Sequence, residues 1–236
     1  MNIAIILAGG KGTRMGIVDQ PKQFIDIYGK PIMIHTLEMF DIHEQIDAIC
    51  IVGLKEWHED IKIWVRKFEI NKVKWIVEGG DTRQESVFNG LKEIENDISA
   101  EDVVVIHDAA RPLISHRIIT DNIEAAKKYG AVDTVIPSAD TIIQSKDNET
   151  IASIPVRKEL YLGQTPQSFK FSTIWEAHNS ADEETLQNAT DDCRLVLSYG
   201  KNVHLVEGDK LNFKITTMED LLLLKSIVKM SKLERI

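Results

Sequence analysis

Four glycines and three cations crowd the first 24 residues of the chain. Gly9, Gly10, Gly12 and Gly16 follow the apolar run of residues 3–7, and Lys11, Arg14 and Lys22 sit among them or just beyond. Glycine lets the backbone take positive φ and approach a ligand with no Cβ in the way. Successive N–H groups in such a loop form a concavity for an anion. With three full positive charges added, the chemistry indicated is recognition of a polyphosphate. The spacing excludes commoner phosphate loops. Gly10-x-Gly12-x-x-x-Gly16 is one residue too long for the dinucleotide fingerprint, and no acid stands near residues 51–53 to hold an adenosine ribose. No Gly-Lys-Ser/Thr of a Walker A loop is present either. On this loop alone, an ordinary strand-to-helix turn with surface lysines stays open.

Two further stretches carry polar groups where a strand ends. Gly79-Gly80-Asp81-Thr82-Arg83 with Ser86 leads from an apolar run into a helical pattern of Val87, Leu91 and Ile94. A helix N-terminus there offers free N–H groups and partial positive charge. Asp81 or Thr82 serving only as the N-cap is an equal reading of those two, though it leaves Arg83 and Ser86 unexplained. His107-Asp108-Ala109-Ala110-Arg111 ends the run of residues 103–106. A carboxylate at the carboxyl end of a buried parallel strand lies where open α/β sheets bind ligands. Asp108 is suited to Mg²⁺, which takes carboxylate and phosphate oxygens together. An Asp108–Arg111 ion pair that fixes the turn is compatible with that role. His107 is read as a packed, hydrogen-bonded side chain.

The elements that must position these groups follow from periodicity. Strands are expected at residues 3–7, 48–53, 73–77, 103–106, 131–136, 203–206 and 212–216. Helices are expected at 31–40, 57–68, from about 83, and at 116–128, 171–178, 190–199 and 219–230. Trp57, Ile61, Trp64, Val65 and Phe68 recur at helical spacing and read as core packing. Thr217-x-x-Asp220 resembles a capping box for the last helix. The alternation implies an α/β fold: a doubly wound, mostly parallel sheet with right-handed crossovers. Residues 140–145 and 150–155 break the rhythm as two arms of a hairpin. Such a protruding β-arm, at about 138–157, suits dimer formation, and an edge hairpin of the same sheet would have the same pattern.

Composition limits the partners. The 236 residues are 43% hydrophobic with no Gly/Ser- or Pro-rich linker, which fits one domain over 1–236. A net charge of −9 argues against nonspecific binding to nucleic acid or to an anionic membrane. Within the first 30 residues, however, four cations face two acids, so a small anionic ligand is indicated. Apolar runs are too short to span a bilayer and no signal peptide is read, so a cytoplasmic protein with Cys50 and Cys193 reduced is expected. The seven histidines show no zinc spacing.

Leu-Ala-Gly-Gly-x-Gly-Thr-Arg-Met-Gly with Pro-Lys-Gln-Phe, Gly-Gly-x-x-Arg-x-x-Ser, His-Asp-Ala-Ala-Arg-Pro, Gln-Thr-Pro-Gln-Ser-Phe, Thr-Asp and Asn-Phe-Lys-Ile-Thr occur in that order across nearly the whole chain. The ordered set resembles the CTP-dependent cytidylyltransferases, which include methylerythritol-phosphate and ribitol-5-phosphate cytidylyltransferases. Ala8-Gly9-Gly10, Tyr161-Leu162-Gly163 and Thr190-Asp191-Asp192-Cys193-Arg194 are more similar to the ribitol branch, whereas His107 to Arg111 matches the methylerythritol pattern at least as well. The expectation is therefore ribitol 5-phosphate as acceptor, with methylerythritol phosphate as the alternative.

The resemblance implies a Rossmann-like nucleotidyltransferase that uses CTP and Mg²⁺ and forms a homodimer. It implies catalytic roles for Arg14 and Lys22 at the α-phosphoryl group. Leu7, Ala8, Gly9, Gly10, Gly12, Gly80, Asp81, Thr82, Arg83, Ser86 and Asp108 would line the nucleotide site. Arg157 and Lys214 would hold the acceptor phosphate, Arg157 from its own arm or a partner's. Arg111, Thr165 and Asp191 are of second rank on the acceptor side, as is Asp209 beside Asp108 as a metal ligand. A nicotinamide oxidoreductase would need the missing ribose acid. A non-catalytic nucleotide sensor would bind CTP without releasing pyrophosphate.

Overall fold

Strand β1 (Asn2–Ala8) is apolar on both faces because both faces are covered. Its alternate residues Ala4, Ile6 and Ala8 join one buried cluster, and Ile3 and Ile5 join another. The same alternation places Val103 and Val105 of β4 (Val103–Asp108) on the first face, and Val104 and Ile106 on the second. Helices α1 (Ile32–Asp41), α2 (His58–Lys67) and α4 (His116–Tyr129) cover the first face. Helices α3 (Arg83–Ile94), α5 (Phe171–Ser180) and α7 (Asp192–Ser198) cover the second. The computed structural model describes residues 1–10 and 20–233.

With β2 (Ala48–Gly53), β3 (Val73–Glu78), β5 (Ala131–Pro137), β6 (Tyr161–Lys170) and β7 (His204–Glu207), seven strands among the described residues form one sheet ordered β3-β2-β1-β4-β6-β5-β7. Neighbours are parallel except at β6, which runs antiparallel to both β4 and β5. The chain moves outward from β1 to β2 and β3, then returns to place β4 on the other side of β1. The strand order reverses at β1/β4, and a crevice opens at their carboxyl ends. Register aligns those ends: Leu7 pairs with Asp108, Ala8 with Gly53, and Gly53 with Glu78.

Helix α3 is seated unusually close to this edge. A Cβ on Gly90 would come within 2.9 Å of Val52 Cγ2 and 3.2 Å of Ile5 Cγ2, so only glycine lets the helix approach. The last helix, α8 (Met218–Leu233), packs Leu221, Leu224 and Val228 against Ile27, Ile32 and Ile215. Thr217 and Asp220 cap it reciprocally: Asp220 Oδ2 accepts from Thr217 N at 2.8 Å, and Thr217 Oγ1 accepts from Asp220 N at 3.3 Å. Trp57 and Trp64 pack on Phe24 and belong to the core, as their spacing implies. Among the described residues, no helix is long and apolar enough to cross a membrane.

Two expectations need correction. Residues 212–216 form no strand. Ile215 N donates to Ala110 O at 2.8 Å, and the buried Asn212 side chain donates to Thr165 O at 2.8 Å, so single tethers replace a ladder. The hairpin arms carry one isolated bridge, Gln144–Ser153, rather than paired strands. Asp147 closes their tip by accepting from Glu149 N and Thr150 N at 3.0 and 2.8 Å. Residues 139–154 are exposed throughout, so no neighbouring face fixes a longer pairing. Strand β6 has no expected counterpart, because Gln164, Thr165, Pro166, Gln167 and Ser168 are polar or proline, yet these five residues are buried mid-sheet. Helix α6 (Glu183–Asn188), capped by Asp182, is a further short element that periodicity does not show.

Candidate active site

A cavity of about 630 Å³ opens at the carboxyl ends of β1, β2, β3 and β4, lined by residues from at least five segments of the chain. It brings together Leu7, Gly9, Gly10, Lys22, Gly80, Asp81, Thr82, Arg83, Ser86, Asp108 and Lys214, all expected from sequence. Gly12 and Arg14 lie outside the described residues.

Lys22 sits on a short 3₁₀ turn, residues Lys22–Phe24. Two neighbours hold that turn. The buried Gln23 amide donates to Ala8 O at 2.6 Å and to Gly10 O at 3.0 Å, tying the turn to the end of β1. Phe24 stacks on Trp57 with ring centroids 4.6 Å apart, a contact of about 0.5–1.5 kcal/mol beyond its burial. Ala8 is buried and serves as an acceptor behind the site rather than as its surface.

The second glycine turn is held by helix α3. Thr82 is the N-cap: its side chain accepts from Glu85 N at 3.1 Å, and Glu85 Oε2 accepts from Thr82 N and, at 2.7 Å, from Asp81 N. Gly80 N donates to Ser86 Oγ at 3.1 Å. The amides at 80, 81 and 82 are therefore engaged within the turn, and the capping reading of Thr82 holds while the residue still lines the cavity. A Cβ on Gly80 would lie 2.3 Å from Glu85 Cβ, so only glycine fits against this cap. Arg83 leaves the first turn of α3 with Nη1 2.7 Å from Asp192 Oδ2.

Asp108 is the anionic centre of the opposite wall. It is 8% exposed, with Oδ2 3.0 Å from Lys214 Nζ and 3.4 Å from Arg111 Nε. Burial pushes its carboxyl up, but Lys214, Arg83 and Arg111 together outweigh burial and hold it well below the usual carboxylate range. Arg111 is buried and also donates to Asn212 O at 2.8 Å, so it fixes the turn and does not line the cavity. Thr165 is likewise behind the surface, accepting from Asp108 N at 3.1 Å and bonding His107 Nδ1 at 2.9 Å. His107 is fully buried, and burial lowers its pKa to about 4, so the ring is neutral.

Besides Ala8, Arg111 and Thr165, three further expected site residues do not line the cavity. Asp191 caps α7, accepting from Arg194 N at 2.9 Å. Asp209 is exposed and accepts from Leu211 N at 2.7 Å, outside the cavity. Arg157 stands exposed at the base of the arm with Nη1 3.4 Å from Ala139 O. Conversely, Lys55 and Glu78, paired at 3.2 Å across the rim, line the cavity without any spacing signal in the sequence. Glu56 and Thr216 do the same. Gln23 was legible only as part of Pro-Lys-Gln-Phe.

No group of three or more potential metal ligands occurs among the described residues. The donor set nevertheless fits Mg²⁺ bound with a substrate. That ion commonly takes one or two carboxylates and completes its shell with phosphate oxygens and water, and Asp108 is an ionised carboxylate facing the cavity. The arrangement as a whole presents fixed positive charge from Lys22, Arg83 and Lys214 around a space that two phosphate-bearing molecules can share.

Residues 2–230 match the family model described as IspD, 2-C-methyl-D-erythritol 4-phosphate cytidylyltransferase. Solved structures of similar chains bear the same activity in their names. The 4-diphosphocytidyl-2C-methyl-D-erythritol synthase of Anaerococcus prevotii is 28% identical, with a TM-score of 0.82 over 97% of this chain and 96% of its own. The Francisella tularensis 2-C-methyl-D-erythritol 4-phosphate cytidylyltransferase is 29% identical, with a TM-score of 0.79 over 95% and 98%. The Thermus thermophilus enzyme of that name is 28% identical, with a TM-score of 0.76 over 97% and 100%.

Proposed function

Because the chain belongs to the IspD family of cytidylyltransferases, we propose that its cleft joins CTP to the phosphate of a short polyol phosphate and releases pyrophosphate. CTP-dependent cytidylyl transfer is the activity of the family. The acceptor and the residue roles are our reading. One observation carries it: a single cavity collects Lys22, Arg83, Asp108 and Lys214 beside two glycine turns.

In the reaction, an acceptor phosphate oxygen attacks the α-phosphorus of CTP. The new P–O bond forms as the bond from the α-phosphorus to the α,β-bridging oxygen breaks, and pyrophosphate departs with that electron pair. A phosphate oxygen is already anionic at pH 7, so no general base is needed. Two polyanions must meet, and catalysis is positioning and charge neutralisation. Lys22 stabilises the charge that builds at the α-phosphoryl group, with Arg14 assigned the same role by motif. Arg83 and the turn of residues 79–82 hold the nucleotide. Lys214, placed by Asp108, holds the acceptor phosphate. Mg²⁺, held by Asp108, would neutralise phosphate charge when bound.

The names of the similar enzymes weigh toward 2-C-methyl-D-erythritol 4-phosphate as acceptor, against the ribitol 5-phosphate favoured from sequence. Ribitol 5-phosphate stays as the second reading on Tyr161-Leu162-Gly163, which open β6, and Thr190 to Arg194, which run into α7. The arm supports a homodimer. Ile142, Ile143, Ile151, Ile154 and Val156 are exposed on it, an apolar surface that a second copy would cover, with Arg157 carried beside it.

The test is an acceptor panel with CTP and Mg²⁺, comparing 2-C-methyl-D-erythritol 4-phosphate, ribitol 5-phosphate and glycerol 3-phosphate by pyrophosphate release and product mass. Turnover with the first is expected. Preference for the second installs the other acceptor, and no turnover with any of them defeats the polyol-phosphate reading.

A further inference from the structure

Two adjacent aspartates open α7, and they do different things. Asp191 spends its carboxylate on the helix cap. Asp192, the next residue, is 0% exposed and turns its side chain away from the helix axis toward Arg83. Burying a carboxylate is expensive unless it is paired, and the cap does not require this one. Its Oδ2 accepts from Arg83 Nη1 at 2.7 Å. Its backbone N donates to Gln167 Oε1 at 3.1 Å, and the same Oε1 lies 3.4 Å from Arg83 Nη2. Gln167 is fixed in turn by donating Nε2 to Asp133 Oδ1 at 3.0 Å. The guanidinium is thus gripped at both terminal nitrogens, by α7 on one side and β6 on the other. Its remaining N–H donors are not used by these contacts.

The second carboxylate oxygen faces His178. Asp192 Oδ1 is buried with no hydrogen-bond partner, and neither has His178 Nε2, which lies 3.6 Å from it. His178 lies flat against Phe88 of α3, ring planes 4° apart, and so backs the carboxylate from behind.

We propose that Asp192, assisted by Gln167, is a positioning residue for nucleotide binding, holding the Arg83 guanidinium aimed into the cleft before substrate arrives. A long arginine side chain left unheld samples many rotamers, and ordering it must be taken out of binding energy. Held in advance, Arg83 meets the anionic nucleotide with little further loss. The inference rests on the reading of the cleft as the CTP site.

The experiment is a double-mutant cycle of Asp192→Asn and Arg83→Ala, with KM and kcat for CTP, KM for the acceptor and the thermal midpoint measured on each. Asp192→Asn keeps shape but loses the charge. It is expected to raise KM for CTP about tenfold, with kcat and acceptor KM within about twofold. In the Arg83→Ala background the same change should move KM for CTP less than about twofold, since the residue it acts through is gone. Gln167→Leu should show a smaller rise, about threefold, equally absent without Arg83. If Asp192→Asn does not fold, the Gln167 cycle decides alone. Additive effects in the cycle, an unchanged KM for CTP, or a uniform fall in kcat tracking a lower thermal midpoint would each overturn the proposal. A wild-type protein that fails to turn over CTP overturns both this inference and the reading beneath it, whereas normal wild-type turnover with an additive cycle removes only the inference.

Discussion

In the cleft, the charged groups of the β4 wall and of α3 are already placed by bonds within the chain; on the arm, residues 139–154 stand in solvent. Asp108 is held between Lys214 and Arg111, and Arg83 between Asp192 and Gln167. The arm has one bridge, an Asx-type tip at Asp147 and uncovered isoleucines. The difference separates two ways of presenting a cation to a phosphate. Lys214 and Arg83 are preorganised by one chain, so little reorganisation remains when an anion binds. Among the described residues, the Arg157 guanidinium has a single 3.4 Å contact, to Ala139 O, and is far less constrained than Lys214 or Arg83.

Four outcomes would sharpen or break that contrast. The largest effect is expected in the cleft. Lys22→Ala should cut kcat by about 10²-fold or more, the scale for losing a preorganised charge contact, with the fold kept by Gln23 and Phe24. Steady-state kinetics on the folded variant check it, and near-normal turnover would remove Lys22 from the reaction.

Arg157→Ala should lower activity by about tenfold or more through KM for the acceptor, leaving KM for CTP in place. Mixing it with Lys22→Ala discriminates its origin. Recovery of activity that neither variant has alone means that Arg157 serves a partner's site, and no recovery means that it serves its own.

A smaller effect on stability and a visible one on assembly are expected from Ile151→Lys with Ile154→Lys. Both residues are exposed, so the single chain should lose no more than about 0.5 kcal/mol. Analytical ultracentrifugation should show dissociation of a dimer. An unchanged dimer would place its interface off the arm, and a monomeric wild type would remove the dimer altogether.

The smallest effect concerns Asp133, whose pKa burial raises to about 6 despite the hydrogen bond from Gln167. The carboxyl is easier to ionise in the unfolded chain than in the folded one. Its contribution therefore favours folding below about pH 4 and is lost as pH rises through 6. Asp133→Asn keeps an acceptor for Gln167 and should stabilise by about 1 kcal/mol at pH 7.5, less than the full linkage for a half-buried group. The gain should vanish near pH 4. Thermal midpoints across that range test it, and a pH-independent difference would contradict the assignment.

Much of the cleft was legible before the fold. Glycine turns at strand ends, the Thr82 cap, Asp108 at the end of β4 and the order of motifs all depend on residues close in sequence. Local rules reach that far. They failed where a polar residue is satisfied by distant partners. The stretch Gln164 to Ser168 has no strand pattern, yet it is buried mid-sheet because Asn122, Asn212 and Asp133 complete its hydrogen bonds. Asn212 to Thr216 has a strand pattern but meets only single tethers. Motif position points Asp209 toward the site, whereas its carboxylate closes its own turn by accepting from Leu211 N.

By itself the sequence determined the rhythm of strands and helices, the turns at their ends and the family, since each rests on spacing and on short-range preference. Only the tertiary structure decided that Lys22, Arg83, Asp108 and Lys214 face one space, that Asp192 rather than Asp191 reaches Arg83, and that Arg157 stands outside that space. Those outcomes depend on the order of strands in the sheet and on which buried charges find partners across it. No local pattern encodes them, because the contacts join residues up to about a hundred positions apart, as Arg83 and Asp192 are.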